Sequence, residues 1–232
     1  MTTQTIKVGI CGLGTVGQGV IALLSEGGDV LSNRVGGTIE LVHVATRTPK
    51  PQVDTLGARA SRDVFDVARD PNVDVLIELI GGTTVAKDLV VEALNEGKHV
   101  VTANKALLAD HGNELFALAE SKGVALRFEA AVAGGIPVIE AVKTSLAGNH
   151  VSSVAGIING TGNFILTEMA AEGREFADVL AEAQARGYAE ADPTFDIDGT
   201  DAAQKLVLLA SLAFGARIDA NAPFKQGVDS VA

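Results

Sequence analysis

Lys205 follows Asp201 by four residues, which puts an ammonium and a carboxylate on one face of a helix. On an exposed helix such a pair is a weak surface salt bridge. The flanking residues Leu206, Leu208, Leu209, Leu212 and Ala213 leave little polar surface. A second reading therefore stands beside the first: a half-buried lysine held by a carboxylate in a cleft, able to change protonation state there. Immediately upstream, the run from Gly187 to Asp201 holds five carboxylates, at Glu190, Asp192, Asp196, Asp198 and Asp201. An EF-hand calcium loop does not fit them. Setting Asp196, Asp198 and Gly199 in its register puts Lys205 at the twelfth position, where the bidentate Glu is needed.

A second constellation lies near the N-terminus. Gly12-Leu13-Gly14-Thr15-Val16-Gly17 follows an apolar run and opens a long helical pattern, the context in which G-x-G-x-x-G cradles a pyrophosphate. The first glycine permits the tight turn, the second admits the phosphates and the third lets helix pack on strand. The helix N-terminus then offers free N–H groups to the anion. An ordinary glycine-rich turn is the competing reading. At the end of the second strand, where an NAD-specific site carries Asp or Glu, stands Thr46-Arg47-Thr48 with Lys50 close by. A cation there suits a 2′-phosphate and favours NADP(H) over NAD(H), with a solvated loop arginine as the alternative. Cys11, the one cysteine, reads as a small core residue beneath the turn.

The elements that must position these groups follow an α/β rhythm over the first 130 residues. Strands are expected at Thr5–Cys11, Glu40–Thr46, Val73–Leu79, His99–Thr102 and Ala125–Glu129, with helices at Val16–Ser32, Val85–Asn95 and Ala106–Ser121. Their short, β-branched, non-alternating character predicts a doubly wound parallel sheet covered on both faces. Residues 131–232 change rhythm: a glycine pair, a helix Val138–Leu146, a strand Ser152–Ile158, a polar turn 159–163 and three helical stretches ending near Phe214. This predicts a second, smaller α+β unit. With 47% apolar and 20% charged residues and a net charge of −11, the chain repels phosphate backbones and anionic membranes. No secretory h-region is present, and the longest apolar stretch, Leu206 to Ala216, is too short to span a bilayer. A cytoplasmic protein is expected, without nucleic-acid or membrane partners and assembled as a homodimer or larger homo-oligomer.

Several segments together resemble homoserine dehydrogenase. They are the fingerprint Gly12–Gly17, Val101-Thr102-Ala103-Asn104-Lys105, Phe128 to Pro137 with its Gly-Gly-Ile-Pro, Asn159-Gly160-Thr161, and Asp-Pro-x-x-Asp-x-x-Gly-x-Asp-x-x-x-Lys ending at Lys205. The resemblance implies a Rossmann-type cofactor domain, a second unit over residues 131–232 for substrate binding, catalysis and dimerisation, and interconversion of L-homoserine and L-aspartate semialdehyde with NAD(P), in threonine and methionine biosynthesis. It implies Lys205 as proton donor to the aldehyde oxygen, Glu190 and Asp201 as substrate-binding carboxylates, Lys105 beside nicotinamide and substrate, and Gly187 as a cofactor contact. It also implies a sodium ion at Glu129, Val132, Gly134 and Ile136, bound through one carboxylate and backbone carbonyls.

Two departures stand out. The turn reads Gly160-Thr161-Gly162-Asn163-Phe164 where the family has a second Thr and a Tyr. Members of the family are also expected to continue past residue 232 with a strand and a glycine-bearing segment that closes the site. Two other readings compete. A semialdehyde dehydrogenase would need a cysteine beside the nicotinamide, and Cys11 is misplaced for that. A truncated, inactive NADP-binding or dimerisation module of the same family would bind cofactor without turnover.

Overall fold

Strands that are apolar at successive positions can only be stable with both faces covered, and the first half of the chain is built that way. The computed structural model describes residues 4–231, and the chain divides into two units, 1–131 and 132–232. In the first, six parallel strands run in the order β3-β2-β1-β4-β5-β6: β1 (Gln4–Cys11), β2 (Gly37–Ala45), β3 (Arg59–Ser61), β4 (Val75–Glu78), β5 (His99–Thr102) and β6 (Leu126–Arg127). This is the order of two mononucleotide-binding halves meeting between β1 and β4. Ile10 pairs with Ile77 and Cys11 with Glu78 across that junction. Ile10, Val44, Leu76 and Val100 are buried in the sheet.

The crossover helices are α1 (Thr15–Glu26), α2 (Gly28–Val35), α3 (Val64–Arg69), α4 (Val85–Asn95) and α5 (Lys105–Lys122). A single helix was expected from Val16 to Ser32, and the chain instead breaks at Gly27, whose N–H closes on the Leu23 carbonyl. The Gly27-Gly28 pair lacks the propensity to carry a helix through. The element β3 and the helix α3 lie in a stretch whose polar composition hides them. The three residues of β3 pair only with β2 at the sheet edge, and α3 is six residues capped by Asp63, whose Oδ1 accepts from Phe65 N at 2.9 Å. Behind them His43 is fully buried, with Nδ1 2.8 Å from Asp70 Oδ2, while Lys98 Nζ donates to the Asp70 and Val73 carbonyls at 2.6 and 2.9 Å.

The second unit contains α6 (Val138–Glu140) running on as a π-turn over Ala141–Ser145, then α7 (Gly160–Glu172), α8 (Phe176–Ala185), α9 (Thr194–Ile197) and α10 (Thr200–Phe214). The strand expected at Ser152–Ile158 is not formed: no strand occurs among the described residues of this unit, so the segment has no ladder partner. The described residues of this unit form helices and irregular segments, so the β part of the α+β unit expected here is not found among them. Residues 160–163 also differ from the polar turn expected. They form the first turn of α7, because Asn159 caps it with Oδ1 accepting from Gly162 N at 2.6 Å. No helix among the described residues is long and apolar enough to cross a membrane.

Candidate active site

The turn between β1 and α1 has three glycines with three different causes. Gly12 has φ 104°, and a side chain on it would meet the Leu79 carbonyl group at the end of β4. A side chain on Gly17 would strike the Gly12 carbonyl oxygen. Both positions are therefore fixed by the protein itself. Gly14 is different. It has an ordinary φ of −71° as N-cap of α1, and no atom lies within 4 Å of where its side chain would point. Neither conformation nor packing demands glycine there, whereas a pyrophosphate seated on the helix N-terminus would. Leu13 is buried, and Thr15 and Val16 are exposed in the first turn of α1.

Around this turn the other groups take distinct places. Arg47 lies on the exposed loop after β2, with no ion-pair partner among the described residues. Cys11 is fully buried, and burial first, then the Glu78 and Asp63 carboxylates, push its thiol far up, which removes it as a nucleophile. Lys105 is the partly buried first residue of α5. The helix before it is set by Asn104, whose Oδ1 accepts from Leu107 N at 3.0 Å and whose Nδ2 donates to the Gly82 carbonyl at 2.7 Å.

In the second unit Lys205 and Asp201 come together on α10. Lys205 Nζ donates to Asp201 Oδ2 at 2.6 Å and to the Ile158 carbonyl at 2.7 Å. The side chains are 18% and 9% exposed, so the pair is enclosed rather than wet. Asn159 Nδ2 donates to Asp201 Oδ2 at 2.9 Å and to Asp196 Oδ1 at 2.7 Å, tying the start of α7 to α9 and α10. An ammonium has three N–H donors and two are used here. The third has no partner among the described residues.

The acidic run resolves into separate jobs. Asp192 accepts from Thr194 Oγ1 and Thr194 N, which holds its carboxyl below the usual range. Asp198 accepts from the backbone and hydroxyl of Thr200 at 2.8 and 2.9 Å at the start of α10. Asp196 and Asp201 hold Asn159 and Lys205. Glu190 alone among the five has an exposed carboxylate without a partner in the described residues. Its loop, which also carries exposed Gly187, is pinned by Gln184 Nε2 on the Glu190 and Ala191 carbonyls and by Thr161 Oγ1 on the Tyr188 carbonyl at 2.7 Å.

The positions expected to hold sodium lie in or beside an irregular turn. Glu129 starts a 3-10 turn at the end of the first unit. In the second unit Val132 is buried, Gly134 and Ile136 are exposed, and Ala133 and Gly135 take left-handed φ of 51° and 86°. Sequence reasoning did not single out Asn159 or Asp196 as functional. An Asn just before an apolar helical pattern is a capping signal, but its second role as a clamp on two distant carboxylates leaves no local trace.

Comparison with known proteins settles the family. Residues 12–129 match the profile for the homoserine dehydrogenase NAD binding domain, and residues 137–232 match the homoserine dehydrogenase profile. The chain belongs to the homoserine dehydrogenase family. The homoserine dehydrogenase of Pseudomonas aeruginosa is 56% identical over 228 residues, covering 98% of this chain and 52% of that protein. That of Bacillus subtilis is 44% identical over 98% of this chain and 53% of its own length. Among solved structures, homoserine dehydrogenase from Thiobacillus denitrificans superposes with a TM-score of 0.94 at 48% identity, covering 99% of this chain and 53% of the other. A hyperthermophilic archaeal homoserine dehydrogenase in complex with NADPH gives a TM-score of 0.84 at 25% identity, covering 99% of this chain and 75% of the other. The chain spans about half the length of the curated relatives it matches. Its first unit thus carries the NAD binding domain of this family.

Proposed function

We propose that this protein interconverts L-homoserine and L-aspartate semialdehyde with NADP(H) as the preferred cofactor. The observation that carries the reading is the enclosed Lys205 ammonium, fixed by Asp201 and the Ile158 carbonyl with one N–H unspent. When bound, the nicotinamide supplies or accepts the hydride. Lys205 stabilises the oxyanion that develops as an aldehyde is reduced and delivers the proton to it; in the oxidative direction its amine takes the hydroxyl proton as the hydride leaves carbon. Asp201, itself held by Asn159, keeps the Lys205 side chain aimed. Glu190, the unpartnered carboxylate, suits the substrate's α-ammonium. Gly12, Leu13, Gly14, Thr15, Val16 and Gly17 are proposed to cradle the pyrophosphate, Arg47 to take the 2′-phosphate, and Lys105 and Gly187 to border the nicotinamide.

Sodium at Glu129, Val132, Gly134 and Ile136 belongs to the same reading. One carboxylate with backbone carbonyl oxygens is a donor type that suits a hard cation, and the left-handed Ala133 and Gly135 make this segment an irregular turn. Homo-oligomerisation is proposed too, on the exposed apolar side chains Ile136 and Phe224 of the second unit.

The test is oxidation of NADPH with L-aspartate semialdehyde, followed at the nicotinamide absorbance, beside NADPH binding by fluorescence. Turnover that requires the semialdehyde supports the reading. Binding without turnover supports a cofactor-binding module, and no binding refutes the cofactor assignment.

A further inference from the structure

Glu78 ends β4 with no exposed surface and no cation beside it among the described residues. A buried carboxylate without a cation is costly unless hydrogen bonds replace its water, and here the bonds of the carboxylate run to the loop after β4 and to the end of β5. Its Oε1 accepts from Ile80 N at 2.9 Å and Gly81 N at 3.2 Å, in the loop after β4. Its Oε2 accepts from Thr102 Oγ1 at 2.5 Å, at the end of β5. Thr102 Oγ1 accepts in turn from Asn104 N at 3.0 Å, and Asn104 Nδ2 returns to the Gly82 carbonyl at 2.7 Å. Glu78, Thr102, Asn104 and the Gly81-Gly82 backbone form a closed ring.

What the ring holds has an unusual shape. Gly81 and Gly82 are both left-handed, at φ 72° and 73°, and open space lies where side chains would point. The preceding Leu79 carbonyl lies against Gly12 at the junction of the two halves of the sheet. A dinucleotide lying across that junction places one mononucleotide over β1–β3 and the other over β4–β6. The ring therefore faces the half opposite the Arg47 loop.

We propose that Glu78 is a positioning residue that sets the nicotinamide-side wall of the cofactor crevice, by fixing the Gly81-Gly82 backbone and the Asn104 cap from which Lys105 projects. The inference rests on the dinucleotide reading above. Glu78→Gln puts an NH₂ donor where two N–H groups or a hydroxyl donate, so one arm of the ring opens. Thr102→Val cuts the other arm, and Thr102→Ser restores it.

The experiment measures the affinity of each variant for NADPH and for 2′,5′-ADP, which has the phosphorylated adenosine end and no nicotinamide. Glu78→Gln and Thr102→Val are expected to weaken NADPH about tenfold or more, the loss of one hydrogen bond to a charged group, with 2′,5′-ADP held within about twofold and Thr102→Ser close to wild type. Parallel loss of both ligands, or unchanged NADPH affinity in a folded variant, overturns the proposal. If Glu78→Gln does not fold, the Thr102→Val and Thr102→Ser pair decides alone. Wild-type protein that binds neither ligand overturns the dinucleotide reading itself, and the inference with it.

Discussion

Lys205 and Asp201 stand one helical turn apart on α10, and the Asp201 oxygen that accepts a hydrogen bond from Lys205 Nζ at 2.6 Å accepts a second from Asn159 Nδ2 at 2.9 Å. The shared oxygen separates this pair from a surface salt bridge. Removing the lysine leaves Asp201 still bonded to Asn159, so the variant can fold and report on chemistry.

Lys205→Met is therefore expected to keep its melting temperature near wild type and to bind NADPH, while turnover of the semialdehyde falls about 10²–10⁴-fold. In the proposed mechanism the variant lacks the proton donor and the oxyanion partner. Hydride-transfer rates alongside thermal melts check it; wild-type turnover in a folded variant refutes the role.

Asn159→Ala should act on both stability and activity. It removes the cap of α7, worth about 1 kcal/mol, and releases Asp196 and Asp201 from their common donor. A lowered urea midpoint is expected, with a further drop in kcat because Lys205 loses its fixed counter-ion. A variant with unchanged midpoint would show that the cap is not formed in solution.

Cofactor choice tests the loop after β2. Arg47→Asp should lose about 1.5–3 kcal/mol of NADP binding, the range for a charge-assisted hydrogen bond to phosphate, and leave NAD binding little changed. The ratio of the two affinities is the measurement. An unaltered ratio places the 2′-phosphate elsewhere.

The buried cluster under β2 predicts a pH dependence. Burial tends to raise the Asp70 carboxyl, but hydrogen bonds from Asn72 N, His43 and Asn72 Nδ2 outweigh it and hold the group below its usual value. A depressed folded value means stability that is fully present above the unfolded value of about 3.9 and is lost as pH falls through the folded one. The difference in unfolding free energy between wild type and Asp70→Asn, clear at pH values near 6, should shrink steadily below about pH 4. A difference constant down to pH values near 3 contradicts the assignment.

The central strands and α4 were legible because each is one uninterrupted pattern. Val85–Asn95 reads as a helix from its apolar spacing alone and is one. The junction of β3 and α3 was not legible, since Arg59–Ser61 is three residues long and takes its conformation from β2. Ser152–Ile158 has strand composition, yet pairing is a property of two segments and the partner is missing from the described residues. The same distinction runs through the site. Asp201 and Lys205 are four apart in sequence and could be paired on paper. Asn159 reaches Asp201 across 42 residues, and no local spacing announces that. Glu78 did leave a trace, a lone carboxylate ending the otherwise apolar Val75-Leu76-Ile77.

The three glycines of the β1–α1 turn are held by different agents, and this has a historical consequence. A lineage that stopped binding the dinucleotide would still be obliged to keep Gly12 and Gly17, because the Leu79 and Gly12 carbonyls leave no room for anything larger. Position 14 would be free to drift, since only open space borders it. If the turn seats a pyrophosphate as proposed, the middle residue is the one that records cofactor use, and the outer two record only the fold.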